Sequence, residues 1–318
     1  MKKGYLYILF ATILFSSMEI ALKSVAGQFN AVQMNVTRFF IGGLVLLPFA
    51  WRTLKQKGVT VDKTAILHFA LLGFLGVVIS MTFYQLAVES AKASEVAILF
   101  SSNPVFVLLL SGVILGQTIR KNHVAAILLE IVGILAIVNP LHTQISVPGA
   151  VMAILSAASF ALYSVLGKKD CGRLGGVTVT CGSFLMASLE MLVLVGLSHV
   201  PPIANLLADT SSLSLFANIP LFTGYTLQNL PVMLYVCICV TGGGYAFYFM
   251  AIEATTPTTA SLVFFFKPVL SPILALIILS EAIPLNMLAG IVLILAGSLC
   301  NLLPGLMGER MTAQHAVK

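Results

Sequence analysis

Two ionisable residues lie well inside apolar runs of the chain, and their positions point to chemistry within a membrane. Glu19 belongs to the first apolar run, and Lys267 lies between three phenylalanines and Pro268. A charged side chain inside a membrane costs free energy and usually marks a path for an ion or a substrate. The sequence therefore predicts that Glu19 carries a proton and contacts substrate, and that Lys267 binds substrate.

Glu19 shares one face of its predicted helix with other polar residues. They follow one another at steps of four, three and four residues: Thr12, Ser16, Glu19 and Lys23. This spacing places them on one side of a helix, so Lys23 is a second candidate for substrate binding. The alternative is a structural ion pair between Glu19 and Lys23.

Lys267 precedes a proline that has a counterpart earlier in the chain. Pro268 corresponds to Pro104, which follows Asn103. A proline removes a backbone donor and clashes with the preceding turn, so carbonyl groups lose their partners. Such backbone is tolerated inside a membrane where it is buried in protein or lines a cavity. We therefore expect helix breaks at Pro104 and Pro268, with Asn103 and Lys267 lining a substrate site. The alternative for Lys267 is a side chain that extends from a kink to the membrane surface.

Three further residues are candidates for the lining of a central cavity. Tyr84 and Tyr248 occupy equivalent positions in two similar stretches, with ordinary packing as the alternative. Arg38 stands near the start of the second apolar run. There it would bind a substrate anion or, alternatively, a lipid headgroup.

The chain contains an internal repeat. Residues 84–140 match residues 248–304 after a shift of 164 positions, without a gap. Repeats of this kind are a common way of building transporters. We therefore divide the chain into two membrane units, residues 1–140 and residues 148–304.

Composition indicates that these units fold in a lipid bilayer. Of 318 residues, 59% are hydrophobic and 9% are charged, whereas a soluble domain carries about 25% charged residues. The sequence predicts an all-α polytopic membrane protein with ten transmembrane helices. The predicted helices cover residues 4–25, 33–51, 65–88, 94–116, 123–138, 148–167, 177–197, 230–252, 257–279 and 284–303.

Basic residues predict the orientation of these helices. With the N-terminus inside, Lys92 is the one basic residue of the outer loops, and the other loop Lys and Arg lie on the inner side. Both termini are then cytoplasmic, in a multi-pass protein of the cell membrane. Five helices per unit make the two units inverted. Residues 200–229 then lie outside, with a short interfacial helix around residues 213–221.

The paired pattern of small residues, a proline within a helix and a following glycine-rich helix resembles the EamA family of the drug/metabolite transporter superfamily. The likeness rests on Ala87, Pro104, Gly116, Gln117, Gly133 and Pro140, and in the second unit on Ala251, Pro268, Ser280, Glu281, Gly290, Gly297 and Pro304. It implies ten helices in inverted five-helix repeats and alternating access around a central cavity. In the family, an acidic residue closes the helix that contains the proline. The second unit keeps this residue as Glu281, and the first unit has Gln117 in its place. Glu19 and Lys23 also resemble the helix 1 glutamate and lysine of small multidrug-resistance relatives.

The predicted function is secondary transport, with export of amino acids or similar small metabolites. Proton coupling and multidrug or organic-ion efflux stay open as alternatives. A nucleotide-driven pump would need a phosphate-binding loop, which the sequence lacks. An intramembrane enzyme would need clustered histidines or acids, and a scaffold would not explain Glu19 and Lys267. The expected partners are a small-molecule substrate and the lipid bilayer, without nucleic acid, metal or cofactor, in a monomer or a homodimer.

Overall fold

The computed structural model describes residues 2–117, 121–138, 146–209, 213–297 and 299–300, and these residues form helices without any strand. In chain order the apolar helices are α1 (Lys3–Ser24), α2 (Ala31–Lys57), α3 (Lys63–Ser90), α4 (Ala93–Leu115), α5 (Lys121–Val138), α6 (Val147–Leu174), α7 (Gly176–Ser198), α8 (Leu230–Ala254), α9 (Val263–Leu279) and α10 (Leu285–Gly297). Seven of them, α1–α4 and α6–α8, are long and apolar enough to cross a membrane. The chain is therefore a multi-pass helical membrane protein. The crossing of ten helices stays a prediction.

Several helices run past the ends of their apolar stretches. Helix α2 ends at Lys57 instead of residue 51, and α6 ends at Leu174 instead of residue 167. Basic and polar residues keep the helix intact where it leaves the hydrocarbon layer, because Lys and Arg are good helix formers. Gly58, with a φ of 63°, then terminates α2 in the left-handed region that glycine adopts at little cost.

Helix α4 is interrupted near its proline, whereas α9 continues through Pro268. Helix α4 consists of Ala93–Phe100 and Asn103–Leu115, so Pro104 lies in the first turn of the second segment, where a missing N–H costs little. Pro268 lies inside the continuous helix Val263–Leu279. The chain is interrupted upstream of it, after a single turn, Pro257–Ala260. The expected break at Pro268 is therefore wrong, although the proline still withholds one helical hydrogen bond.

Close helix packing replaces hydrophobic burial as the source of cohesion inside a membrane. Helix α8 contains a π-helical stretch, Tyr235–Gly244, which packs against α2 at Gly42. A Cβ atom added to Gly42 would lie 3.3 Å from the carbonyl oxygen of Cys237 and from the backbone nitrogen of Gly242. The absence of side chains at this contact allows the two backbones to approach closely.

Aromatic side chains fill the centre of the helix bundle. The ring of Phe160 on α6 lies 5.7 Å from that of Tyr245 on α8 and 6.0 Å from that of Phe264 on α9. Phe15 on α1 lies 5.0 Å from Tyr245 in an edge-to-face arrangement, a favoured geometry for aromatic pairs. These contacts join helices of both predicted units around one core.

Contacts between helix ends fall into two sets. At one end of the bundle, Lys57 pairs with Glu253 at 2.7 Å and Arg173 pairs with Asp62 at 3.0 Å. We call this the Glu253 end. In the other set, the end of α1 contacts the end of α3, and Glu281 contacts the start of α4. We call this the Glu281 end, and the two sets agree with helices that alternate in direction.

The segment between α7 and α8 packs on the Glu281 end. It contains a helix, Pro201–Asp209, and a single 3-10 turn, Ser214–Phe216. The predicted short helix around residues 213–221 is therefore wrong, because only one turn forms ahead of the helix-breaking Pro220. The amide of Gln33 donates hydrogen bonds to the carbonyls of Leu221 and Thr223, which holds this segment on the start of α2.

Candidate functional site

Glu19 and Lys267, which the sequence singles out separately, form one ion pair. The Lys267 Nζ atom lies 2.5 Å from Glu19 Oε1, and both side chains are completely buried. Glu19 lies in the first turn of Met18–Ser24, directly after the chain interrupts α1 at Ser17. Lys267 lies one residue before Pro268. The ion pair therefore joins α1, directly after its interruption, to α9 just before Pro268.

Aromatic rings surround the ammonium group of Lys267. Its Nζ atom lies 4.7 Å from the ring centre of Phe100, 5.5 Å from that of Tyr84 and 5.8 Å from that of Phe264. The negative faces of aromatic rings attract a cation at such distances. The rings therefore stabilise a cation here and exclude competing polar groups.

The ion pair is poorly satisfied by hydrogen bonds. Neither the Glu19 carboxylate oxygens nor Lys267 Nζ has another hydrogen-bond partner among the described residues. The hydroxyl of Tyr84 lies beside Glu19 and has no other partner among the described residues. Buried polar atoms without partners are costly, so a ligand that supplied hydrogen bonds would gain free energy at this position.

Lys23 does not join this site and does not pair with Glu19. Its ammonium group donates hydrogen bonds to the carbonyls of Val88, at 2.7 Å, and Ala91, at 2.8 Å, at the end of α3. The last carbonyls of a helix lack helical partners and accept such bonds. The Glu19–Lys23 pair weighed from the sequence is therefore not present, and Lys23 caps α3.

Lys168 makes the same contacts in the second half of the chain. It donates to the carbonyls of Ile252 and Thr255, at 2.6 Å each. These residues are the counterparts of Val88 and Ala91 under the shift of 164 positions. Both lysines therefore bind helix ends, instead of extending to the membrane surface.

The repeat relates the two residues of the charged pair to two neutral residues. Asn103, the counterpart of Lys267, donates a hydrogen bond to the carbonyl of Ala157 at 2.8 Å. Tyr248 donates to the hydroxyl of Ser164 at 3.1 Å. Ser164 is the counterpart of Glu19 when Lys23 is aligned with Lys168. Asn103 and Tyr248 therefore hold α6 through neutral hydrogen bonds, and neither of them takes part in an ion pair.

Arg38 is completely buried on α2, which rules out the interpretation as a lipid-headgroup anchor. Its Nε atom donates a hydrogen bond to Asn35 Oδ1 at 3.0 Å, and its guanidinium carbon lies 4.7 Å from the ring centre of Phe39. Glu19 and Tyr84 both lie within electrostatic range of this guanidinium. Arg38 therefore belongs to the same buried neighbourhood as the ion pair.

Sequence reasoning did not predict what Glu281 contacts. Its carboxylate accepts hydrogen bonds from the backbone N–H of Ala93 and from the backbone N–H and hydroxyl of Ser94, at 2.9, 3.0 and 2.7 Å. The counterpart contact joins Thr258 to Gln117 by one hydrogen bond at 3.0 Å. The internal repeat could have indicated these two contacts, because Ser94 and Thr258 are related by the same shift as Gln117 and Glu281.

Glu253 has two partners at its own end of the bundle. Besides the pair with Lys57, its Oε2 atom accepts a hydrogen bond from the backbone N–H of Gly176 at 2.6 Å. A carboxylate is favourable there, because the first N–H groups of α7 carry partial positive charge. The side chain of Glu130 lies outside the described residues.

Known proteins resemble this chain in sequence and in structure. Residues 2–139 and 147–303 match the sequence model of the EamA-like transporter family. An uncharacterized transporter of Clostridium kluyveri is 34% identical over 309 residues, which cover 95% of this chain and 93% of that protein. The pseudopaline exporter CntI of Pseudomonas aeruginosa is 24% identical over 202 residues, which cover 64% of this chain and 69% of the exporter. One protein crystal structure superposes with a TM-score of 0.67 and 20% identity, over 95% of this chain and 98% of that one.

Proposed function

The chain belongs to the EamA-like transporter family, and on that premise we propose that it is a secondary active transporter that exports amino acids or similar small metabolites by alternating access. The observation that carries this proposal is the buried Glu19–Lys267 pair between α1 and α9. Its two opposite charges match the ammonium and carboxylate of an amino acid. The name of the related pseudopaline exporter agrees with export, whereas a related S-adenosylmethionine transporter of Rickettsia felis is named for uptake.

The repeat is proposed to supply the two faces of alternating access, with residues 1–140 and 148–304 as inverted five-helix units. The equivalent contacts of Lys23 and Lys168 support this proposal, because each lysine caps the end of the corresponding helix in its own half. The left-handed residues Gly116 and Ser280, with φ of 68° and 56°, correspond in the same way. In such units the corresponding contacts lie at opposite membrane faces.

Substrate binding and closure of the site use the same charged atoms in this mechanism. A substrate carboxylate replaces Glu19 at Lys267, and the substrate amine replaces Lys267 at Glu19. In the empty transporter Glu19 and Lys267 neutralise each other, so neither of these two side chains is left as an unpaired charge when the site closes. A proton on Glu19 would break the pair from one side, which is how we propose that a proton gradient drives transport.

The two ends of the bundle are proposed to open in turn. The Glu281 end is held by the carboxylate bonds to the start of α4, and the Glu253 end by the bonds to Lys57 and Gly176. Positive-inside reasoning places the Glu253 end and both termini in the cytoplasm. Release outward then requires the Glu281 contacts to break while the Glu253 contacts hold.

A second candidate function is efflux of organic cations or drugs. The rings of Tyr84, Phe100 and Phe264 around Lys267 favour it, because a ligand cation would occupy the same position as the ammonium group. Such a ligand would pair with Glu19 and displace Lys267. The two candidates therefore differ in the role of the Lys267 charge. It attracts the carboxylate of an amino acid, but it repels an organic cation.

Transport by purified protein in liposomes separates these functions. A panel of amino acids and of organic cations is assayed with and without a pH gradient, for wild type, Lys267→Met and Lys267→Arg. For an amino acid substrate, the Met variant should bind about 10- to 100-fold more weakly, because a charge-assisted hydrogen bond is worth roughly 1.5–3 kcal/mol. The Arg variant keeps the charge and should retain part of the activity.

The matched control is Lys169→Met, which removes an exposed lysine and should change nothing. Equal amino acid affinity in wild type and Lys267→Met would contradict the proposed role of Lys267. Tighter binding of organic cations by Lys267→Met, with no amino acid transport, would favour the second candidate.

A further inference from the structure

Arg38 presents a donor that no described residue uses. Its Nη2 atom has no hydrogen-bond partner, and its Nη1 atom reaches only the sulfur of Met18, a weak acceptor, at 3.8 Å. No carboxylate of the described residues lies within salt-bridge distance of it. The guanidinium is nevertheless fully buried, so one of the most polar groups of the chain has its free edge inside the bundle.

The orientation of Arg38 is fixed by its neighbours. Asn35 Oδ1 accepts the hydrogen bond from Arg38 Nε. The Nδ2 atom of Asn35 donates to the hydroxyl of Thr82 on α3 at 3.5 Å. The ring of Phe39 covers one face of the guanidinium at 4.7 Å. With Nε and this face occupied, the remaining edge carries Nη2 and the weakly bound Nη1, and these two nitrogens can donate in parallel to the two oxygens of a carboxylate.

The charges of the buried neighbourhood do not balance. Arg38 and Lys267 are cations, and Glu19 is the carboxylate that pairs with Lys267. Tyr84 connects them, since it lies within electrostatic range of Glu19 and Arg38 and its ring lies 5.5 Å from Lys267 Nζ. One buried positive charge is left over, and an uncompensated buried charge is strongly destabilising.

We propose that Arg38 is a second anion subsite and that the substrate is an amino acid with a second carboxylate. One substrate carboxylate pairs with Arg38, the other pairs with Lys267, and the substrate amine pairs with Glu19. This inference rests on the proposed function and names its substrate class. A neutral amino acid would leave Arg38 unpaired, and an organic cation would add a third positive charge to the site.

Binding of three related probes to full-length protein in lipid nanodiscs tests the proposal. L-glutamate has two carboxylates and an amine, L-glutamine lacks the second negative charge, and glutarate lacks the amine. Wild type should bind L-glutamate at least about tenfold more tightly than either of the others, since each loses one charged contact. Arg38→Gln should lose this preference over L-glutamine while its affinity for L-glutamine stays within about twofold of wild type.

Two further variants keep the test decisive. Arg38→Lys retains the charge and should retain part of the preference for L-glutamate. This variant tests the role of the Arg38 charge if Arg38→Gln does not fold. The control Arg52→Gln removes an exposed arginine and should leave all three affinities unchanged.

Equal wild-type affinity for L-glutamate and L-glutamine, or an unchanged preference in Arg38→Gln, would overturn the assignment of Arg38. A folded Arg38→Lys variant without any preference would overturn it as well. If wild type transports neutral amino acids and Lys267→Met abolishes that transport, the proposed function stands and only the substrate class fails. If wild type transports no metabolite at all in liposomes, the proposed function itself fails.

Discussion

The carboxylate of Glu281 holds Ser94 at the first turn of α4 through two hydrogen bonds, one from its backbone N–H at 3.0 Å and one from its hydroxyl at 2.7 Å. The counterpart residues Gln117 and Thr258 share a single neutral hydrogen bond. A carboxylate at a helix N-terminus is favoured by the partial charge there, whereas an amide is not. The two ends of the bundle are therefore held with different strength.

Replacing Glu281 tests this difference. Glu281→Gln keeps the size of the side chain and removes its charge, which should cost about 1–2 kcal/mol of the contact with α4. We expect a lower melting temperature of the purified protein and faster labelling of a cysteine introduced at the Glu281 end. Gln117→Ala is the matched comparison, and it should have the smaller effect. Equal effects of the two variants would contradict the asymmetry.

Replacing Glu19 tests proton coupling. Glu19→Gln removes the ionisable group with little change in shape, so transport that depends on a proton at this position should stop. We expect the variant to lose uptake driven by a pH gradient in proteoliposomes and to keep some exchange of substrate across the membrane. Unchanged uptake under the gradient would show that Glu19 has a structural role.

Asp62 should contribute nothing to pH dependence near neutrality. The hydrogen bonds from Arg173, followed by that from the backbone N–H of Ala65, lower the pKa of Asp62 from 3.8 to about 2. Stability from this depressed pKa is fully present above the unfolded value and is lost only as the pH falls toward about 2. The difference in melting temperature between wild type and Asp62→Asn should therefore be constant from about pH 5 to pH 9. A difference that changes over that range would contradict the depressed pKa.

Cysteine labelling tests the orientation. In a chain without its native cysteines, Phe222→Cys replaces a side chain that is 89% exposed in the segment between α7 and α8. It should react with an impermeant reagent added to intact cells. Gln56→Cys, near the end of α2, should react only after permeabilisation. The reverse result would contradict cytoplasmic termini and the proposed inverted units.

Much of the architecture follows from the sequence, because a membrane imposes simple rules. Apolar runs of spanning length must be helices, since no water is available to the backbone. This rule predicts the positions of the apolar helices closely, as α3 shows, with its prediction at residues 65–88 and its observed span at Lys63–Ser90. The same cost of burial identifies Glu19 and Lys267 as unusual residues before any contact is known.

Only the tertiary structure decides which charges meet. Glu19 has Lys23 four residues away, and local spacing favours that pair. Packing instead brings the end of α3 to Lys23, whose ammonium satisfies the carbonyls of Val88 and Ala91. Glu19 is then left for Lys267, which α9 brings to within 2.5 Å. A lysine can satisfy free carbonyls or a carboxylate, and the choice depends on which acceptors the folded helices place beside it.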